Sequence, residues 1–240
     1  MAADPIKRTG VRALPLAFVR GAPDLCAPEP AATLRRMQSE THAPTREEAL
    51  ALVREYITTE NLLAHVVAVE AVMRYMARKL GEDIDKWGVI GLAHDIDYEK
   101  FPELHCRKSP EILRAAGWPE DYIHAVVSHG WQICSEVEPT HRMEKVLYAI
   151  DELTGLVVAT ALMRPSRSVH DLEARSVLKK WKNERFAAGV KRPVIEKGAA
   201  MLGVGLEELV TDTIMGMRDV AREIGLEGNP GAGGAGAGGA

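Results

Sequence analysis

The 240-residue chain is poor in cysteine: Cys26, Cys106 and Cys134 are odd in number and show no C-x-x-C spacing. Neither a disulfide framework nor a thiolate-rich zinc ribbon is suggested, and a reducing cytoplasm fits best. Aromatic residues reach only 5%, so no stretch announces a base-stacking pocket, although Tyr98, Trp118, Trp131 and Trp181 could each stack on a base. There is no basic surplus. The formal net charge of -4 argues against a general nucleic-acid binder, which needs excess lysine and arginine to meet a phosphate backbone. No apolar run approaches the roughly 18 residues of a membrane span. The stretch "ALPLAFV" is too short for one, and no apolar segment follows Arg35-Arg36 as in a twin-arginine signal. A cytoplasmic protein with no membrane or nucleic-acid partner is expected, and a homodimer is compatible with this composition.

What the chain does have is apolar residues, 46%, at helical spacing. Residues 1–44 show no period and read as a disordered or loosely docked extension, and 227–240, rich in Gly and Ala, read as a flexible tail. Between them, residues 45–226 form one helical core. Thr45 and Glu48 make a capping box ahead of "REEALALVREYI". Long helices are expected over "NLLAHVVAVEAVMRYMARKLG" and "HRMEKVLYAIDELTGLVVATALM", with a shorter one over "DKWGVIGLAHDID". Others follow in "SPEILRAAGWP", "PEDYIHAVVSHG", "SVHDLEARSVLKKWKN", "RPVIEKGAAMLG" and "LEELVTDTIMGMRDVAREIG". Ser109-Pro110 and Trp118-Pro119 mark helix starts, and Gly81, Gly117, Gly130 and Gly203 mark ends. No alternating strand stands out, so the expected fold class is all-α.

Several of these helices carry polar residues where apolar ones belong: His65 in "LLAHVV", His94-Asp95 in "LAHDI", His129 in "AVVSHG" and Asp151 in "LYAIDEL", with His105 at a helix start. A lone buried histidine or aspartate is usually a hydrogen-bonded core residue. Four imidazoles and two carboxylates together are an inventory for a divalent metal, which would neutralise the acids and give each ring nitrogen a partner. Adjacent His94 and Asp95 point about 100° apart on a helix, so both reach one ion only near the helix surface, or Asp95 bridges two ions. An open site of one or two ions is expected, with Fe, Mn, Co, Ni, Zn or Mg as the metal. His124, five residues from His129, is expected on the surface, and His42, His141 and His170, in their polar surroundings, are not expected to be ligands.

The order H…HD…H…H…D over residues 60–155 resembles the HD superfamily of metal-dependent phosphohydrolases, whose members fold as helical bundles around a buried metal site. "HDID" stands where many members have H-D-I-G. The resemblance implies that His65, His94, Asp95 and Asp151 are the four-ligand core, and that His105 and His129 are the extra pair of two-metal members. The H-D-[IL]-D-[YW]-E box and "DELTGL" also resemble a little-characterised bacterial subgroup. Asp97 here replaces the glycine, and Tyr98 and Glu99 stand where a lysine often follows.

The expected activity is therefore hydrolysis of a small phosphorylated substrate, a phosphomonoester, phosphodiester or phosphoanhydride, by metal-activated water. Asp95, Asp97 and Glu99 are the acid and proton-carrying candidates. Similarity to HD-type hydrolases of symmetrical dinucleoside polyphosphates points to a nucleotide-like substrate. HD-type di-iron oxygenases share the six-ligand order and give the alternative reading, as does a metal-binding sensor or scaffold without turnover. For the substrate anion, residues 164–197 hold ten Lys/Arg against four acids. Such a run is usually a solvated helix face, but Arg164, Arg167, Lys179 and Arg192 are candidates to reach the mouth of the site, with Arg107 and Lys108 beside His105 as a second group.

Overall fold

A computed structural model describes residues 41–229; the expectations for residues 1–40 and 230–240 lie outside that range. Among the described residues the structure is helical, with no sheet. Arg46–Tyr56 forms α1, and its Thr45–Glu48 capping box is present in both directions. Next come α2 (Glu60–Leu80), α3 (Ile84–Ala93), a 3-10 turn (Pro102–Leu104), α4 (Ser109–Ala115), α5 (Glu120–Ser128) and α6 (Arg142–Leu162). The remaining helices are α7 (Ala174–Trp181), α8 (Arg192–Leu202) and α9 (Leu206–Arg218).

The two 21-residue helices α2 and α6 pack on each other and form the frame. Helices α3 and α9 lie against α2, while α8 lies against α6. Glycines set the closeness of these crossings. A Cβ on Gly91 would stand 2.9 Å from Met73 Cγ and 3.2 Å from Glu70 Cα, so the end of α3 lies directly on α2. A Cβ on Gly198 of α8 would meet Ala149 Cβ of α6 at 2.4 Å and its Cα at 2.6 Å. Gly198→Ala is therefore expected to destabilise the fold by about 1–3 kcal/mol through overpacking, read as a fall in the urea midpoint at unchanged m.

The structure corrects several helix ends. Helix α3 stops at Ala93 with His94 as its C-cap, and α5 stops at Ser128 with His129 as its C-cap, so these side chains sit at helix ends rather than within helices. His105 lies in the loop after the 3-10 turn, not at the start of α4. Two later helices are shorter than their apolar pattern, since 169–173 are non-helical and 219–225 are turns. His141 caps α6: its side chain accepts from Met143 N–H, and Glu144 reaches back to its backbone, forming a capping box. His124 is half exposed and pairs with the buried Glu144 at 2.9 Å.

No helix among the described residues is long and apolar enough to cross a membrane.

Candidate metal centre

Five separate elements converge on one point. Helix α2 brings His65, the end of α3 brings His94 and Asp95, the loop before α4 brings His105, the end of α5 brings His129, and α6 brings Asp151. Each histidine is oriented by a partner on its Nδ1, and the local fold supplies that partner. A helix leaves its last carbonyls short of N–H partners. His94 Nδ1–H donates to Gly91 O at 2.8 Å, and His129 Nδ1–H donates to Val126 O. Each ring thus folds back on the end of the helix it terminates.

His105 Nδ1–H donates to Asp97 Oδ1 at 2.9 Å. His65 Nδ1 faces Thr154 Oγ1 at 3.4 Å, and that hydroxyl donates its own proton to Asp151 O, which leaves the oxygen free to accept from the ring. With the Nδ1 positions engaged, the Nε2 atoms of all four rings point inward. Such an arrangement fixes the tautomer that ligates a cation.

The donor atoms fall into two groups that share Asp95. In the first, His65 Nε2 and His94 Nε2 are 3.3 Å apart, and Asp151 Oδ1 lies 3.0 and 3.3 Å from them. Asp95 Oδ2 completes it, 3.6 Å from His65 Nε2 and 3.4 Å from His94 Nε2. In the second, His105 Nε2 and His129 Nε2 are 3.3 Å apart, and Asp95 Oδ1 stands 3.6 and 3.4 Å away. Ligand atoms at about 2.1 Å from one ion stand about 3.0 Å apart at right angles and about 3.4 Å apart at tetrahedral angles. The observed separations, from 3.0 to 3.6 Å, lie within or just beyond that range, so nitrogen and carboxylate donors of this kind could hold divalent cations.

The electrostatics agree. Burial works against a proton on His94, yet Asp95 and Asp151 outweigh it and raise its pKa well above the usual imidazole value. Burial likewise opposes the charge on Asp95 and Asp151, but His94 and the neighbouring imidazoles hold both carboxyls below the usual carboxylate range. The pocket is built to keep two carboxylates ionised against positive charge.

The site opens into a cavity of about 310 Å³. Its lining includes His65, Asp95, His105, His129 and Asp151, with Tyr98, Cys134, Glu152 and Lys191. Tyr98 stands edge-on to the His105 ring, centroids 5.1 Å apart. Lys191 is the lysine or arginine among the lining residues, and Glu152 holds it twice, accepting from its backbone N–H at 3.1 Å and its Nζ at 3.2 Å.

The other sequence-predicted residues lie elsewhere. Asp97 is fully buried behind His105, accepting from its ring and, at 2.7 Å, from Ser109 N–H. It orients His105 and does not line the cavity. Glu99 points to the start of α2, accepting from the Thr58 hydroxyl at 2.6 Å and from Thr59 N–H at 3.0 Å. The Thr58 hydroxyl and the Thr59 backbone hold its carboxyl down to about 2. Since the folded pKa is depressed, the associated stability is present above the ordinary value of 4.5 and is lost as pH falls toward about 2. Glu99→Gln is expected to flatten the stability profile in that acid window and to leave any activity at neutral pH unchanged.

Of the basic candidates, Arg164 is tied to Asp171 at 2.8 Å. Arg192 donates to the carbonyls of Trp181, Asn183 and Phe186, shaping the loop that leads to Lys191. Lys108 pairs with Glu111. Arg167 and Lys179 are exposed away from the cavity lining, and Arg107 lines a neighbouring cavity. Thr154 and Lys191 were not legible as site residues by charge or motif. Thr154 carried one signal, its position three residues after Asp151 and so on the same helix face.

Comparison with known proteins bears on this geometry. The family model of the HD domain matches residues 62–180. A Ribonuclease Y of Nitratidesulfovibrio vulgaris (strain DP4) is 30% identical over 100 residues, which is 40% of this chain and 18% of that protein. A Ribonuclease Y of Thermotoga maritima is 33% identical over 99 residues, 40% of this chain and 19% of that protein. The matched stretch thus spans less than a fifth of these relatives. No solved structure shows a significant match.

Proposed function

Because the chain belongs to the HD-domain family, we propose that it is a metal-dependent phosphohydrolase acting on a small phosphorylated, nucleotide-like substrate, with two divalent ions held by six residues. His65, His94 and Asp151 would hold one ion and His105 and His129 the other, and Asp95, with an oxygen facing each group, would be shared between them. The observation that carries this reading is the inward convergence of four Nε2 atoms whose Nδ1 positions are all engaged. When bound, such a pair lowers the pKa of water toward neutrality and neutralises charge on a phosphoryl group.

The chain's own residues do the rest. Asp97 keeps His105 in register, Thr154 does so for His65, and Glu152 aims the Lys191 ammonium toward the cavity to receive the phosphate. Tyr98, half exposed beside His105, offers a flat face for the rest of the substrate. The names of the relatives assign ribonuclease activity to those proteins. A cavity of about 310 Å³ lined by one lysine among the described residues supports a small phosphoester here instead of a polynucleotide.

The test is a panel of nucleotides and other phosphoesters on metal-reconstituted protein, with Lys191→Ala alongside. Lys191→Ala is expected to raise KM for the best substrate about tenfold and leave kcat within about twofold, as for a charge-assisted contact made equally in ground and transition states. Absence of turnover on every phosphoester by the fully loaded protein would overturn the proposal.

A further inference from the structure

Two thiols stand at the edge of the site without a role in the chemistry above. Cys106 follows His105, and Cys134 lies in the loop after His129; both are free cysteines, and their Sγ atoms are 2.7 Å apart. That is inside the roughly 3.5–4.0 Å of ordinary non-bonded contact. It is also nearer to the bond length of a disulfide, about 2.05 Å, than to the separation of about 3.7 Å that two thiolates adopt around one zinc ion at 2.3 Å.

The surroundings are built for the pair. A Cβ on Gly130 would fall 2.4 Å from both Sγ atoms, so the glycine leaves the space the two sulfurs share. His105, the third group of this cluster, has Nδ1 on Asp97 and Nε2 between His129 and Asp95. No nitrogen of that ring is left over for a separate cation on the sulfurs.

We propose that Cys106 and Cys134 are a modification site, a reversible thiol–disulfide pair oxidised by a low-molecular-weight disulfide such as glutathione disulfide. Access decides the order of events. Both cysteines line the adjoining cavity with Arg107, Gln132 and Glu136, but Cys134 is partly exposed and lines the substrate cavity as well, whereas Cys106 is buried. The Cys134 thiolate attacks one sulfur of glutathione disulfide, breaking its S–S bond and releasing one glutathione thiolate. Cys106 then attacks the Cys134 sulfur of the mixed disulfide and releases the second. Two electrons pass from the cysteine pair to glutathione disulfide, and the two protons go to the departing thiolates. The new bond joins positions 28 residues apart and ties the His105 loop to the segment after His129.

The experiment exposes the full-length protein carrying Cys26→Ser to glutathione disulfide, alkylates the remaining thiols with iodoacetamide, and maps the peptides by mass spectrometry. The expected product is a Cys106–Cys134 crosslink that dithiothreitol reverses and that raises the thermal unfolding midpoint above that of the reduced form. Cys106→Ser should stop at a glutathione adduct on Cys134, and Cys134→Ser should leave Cys106 unmodified. Two fully alkylated cysteines after oxidation, or a stable adduct on Cys134 with Cys106 present, would overturn the proposal. Protection of both thiols by zinc(II) alone, with release by a chelator and no crosslink on oxidation, would overturn it in favour of a cation site.

Discussion

Asp95→Asn protein is expected to retain almost none of the bound divalent metal of the native chain and to lose activity by well over a hundredfold. The expectation follows from where the two carboxylate oxygens stand. Oδ2 lies 3.4 Å from His94 Nε2 in one donor group, and Oδ1 lies 3.4 Å from His129 Nε2 in the other. Asp95 thus presents one oxygen to each pair of imidazoles. A carboxamide offers one acceptor oxygen and no charge, so one group gains an N–H pointing at an ion and both lose the neutralising anion. Loss of a group that merely orients a ligand costs about 10- to 100-fold in affinity or activity, and loss of a shared ligand must exceed that. Far-UV circular dichroism should show the helical content intact, and elemental analysis of the same sample gives the metal content. Full metal content in Asp95→Asn would mean that this carboxylate is not a ligand.

Asp97→Asn should give a different and more selective outcome. Asp97 touches no ion position; it holds His105 through Nδ1 at 2.9 Å and closes the buried Ser109 N–H at 2.7 Å. An asparagine oxygen can keep one of these two contacts. The ion beside His105 and His129 is expected to bind about 10- to 100-fold more weakly, while the ion beside His65, His94 and Asp151 is retained. Stability should fall by about 1–3 kcal/mol, the cost of one buried group left unpaired. Metal titration should therefore show one site unchanged and one weakened. Equal weakening of both sites would contradict the division of the donors into two groups bridged by Asp95.

The helical architecture was legible in the sequence because apolar spacing and capping residues act locally. The capping box at Thr45 and the glycine end of α2 at Gly81 appear as read. The convergence of six ligand candidates was legible as an ordered pattern, since isolated polar residues in apolar runs require a partner. What the sequence did not disclose was tertiary. Helices α3 and α5 end one residue before His94 and His129 because the imidazoles satisfy the terminal carbonyls themselves. No propensity encodes that hydrogen bond.

The basic residues were misplaced for the same reason. Charge alone does not distinguish Arg192, spent on four backbone carbonyls, from Lys191 beside it, which lines the cavity and pairs there with Glu152. Glu99 was drawn toward the site by its closeness in sequence to Asp95, but the turn after α3 carries it to the start of α2.

The central claim is that this constellation binds two divalent ions and uses them on a phosphoester. The most direct test is metal content per chain, measured by elemental analysis on protein purified without a metal-affinity tag, with turnover of the best phosphoester followed on the same sample through chelation and reconstitution. The account predicts close to two ions per chain, loss of turnover on chelation, and recovery as the second equivalent is restored. A chain that binds no divalent ion even after reconstitution would contradict it, and the four histidines would then be structural.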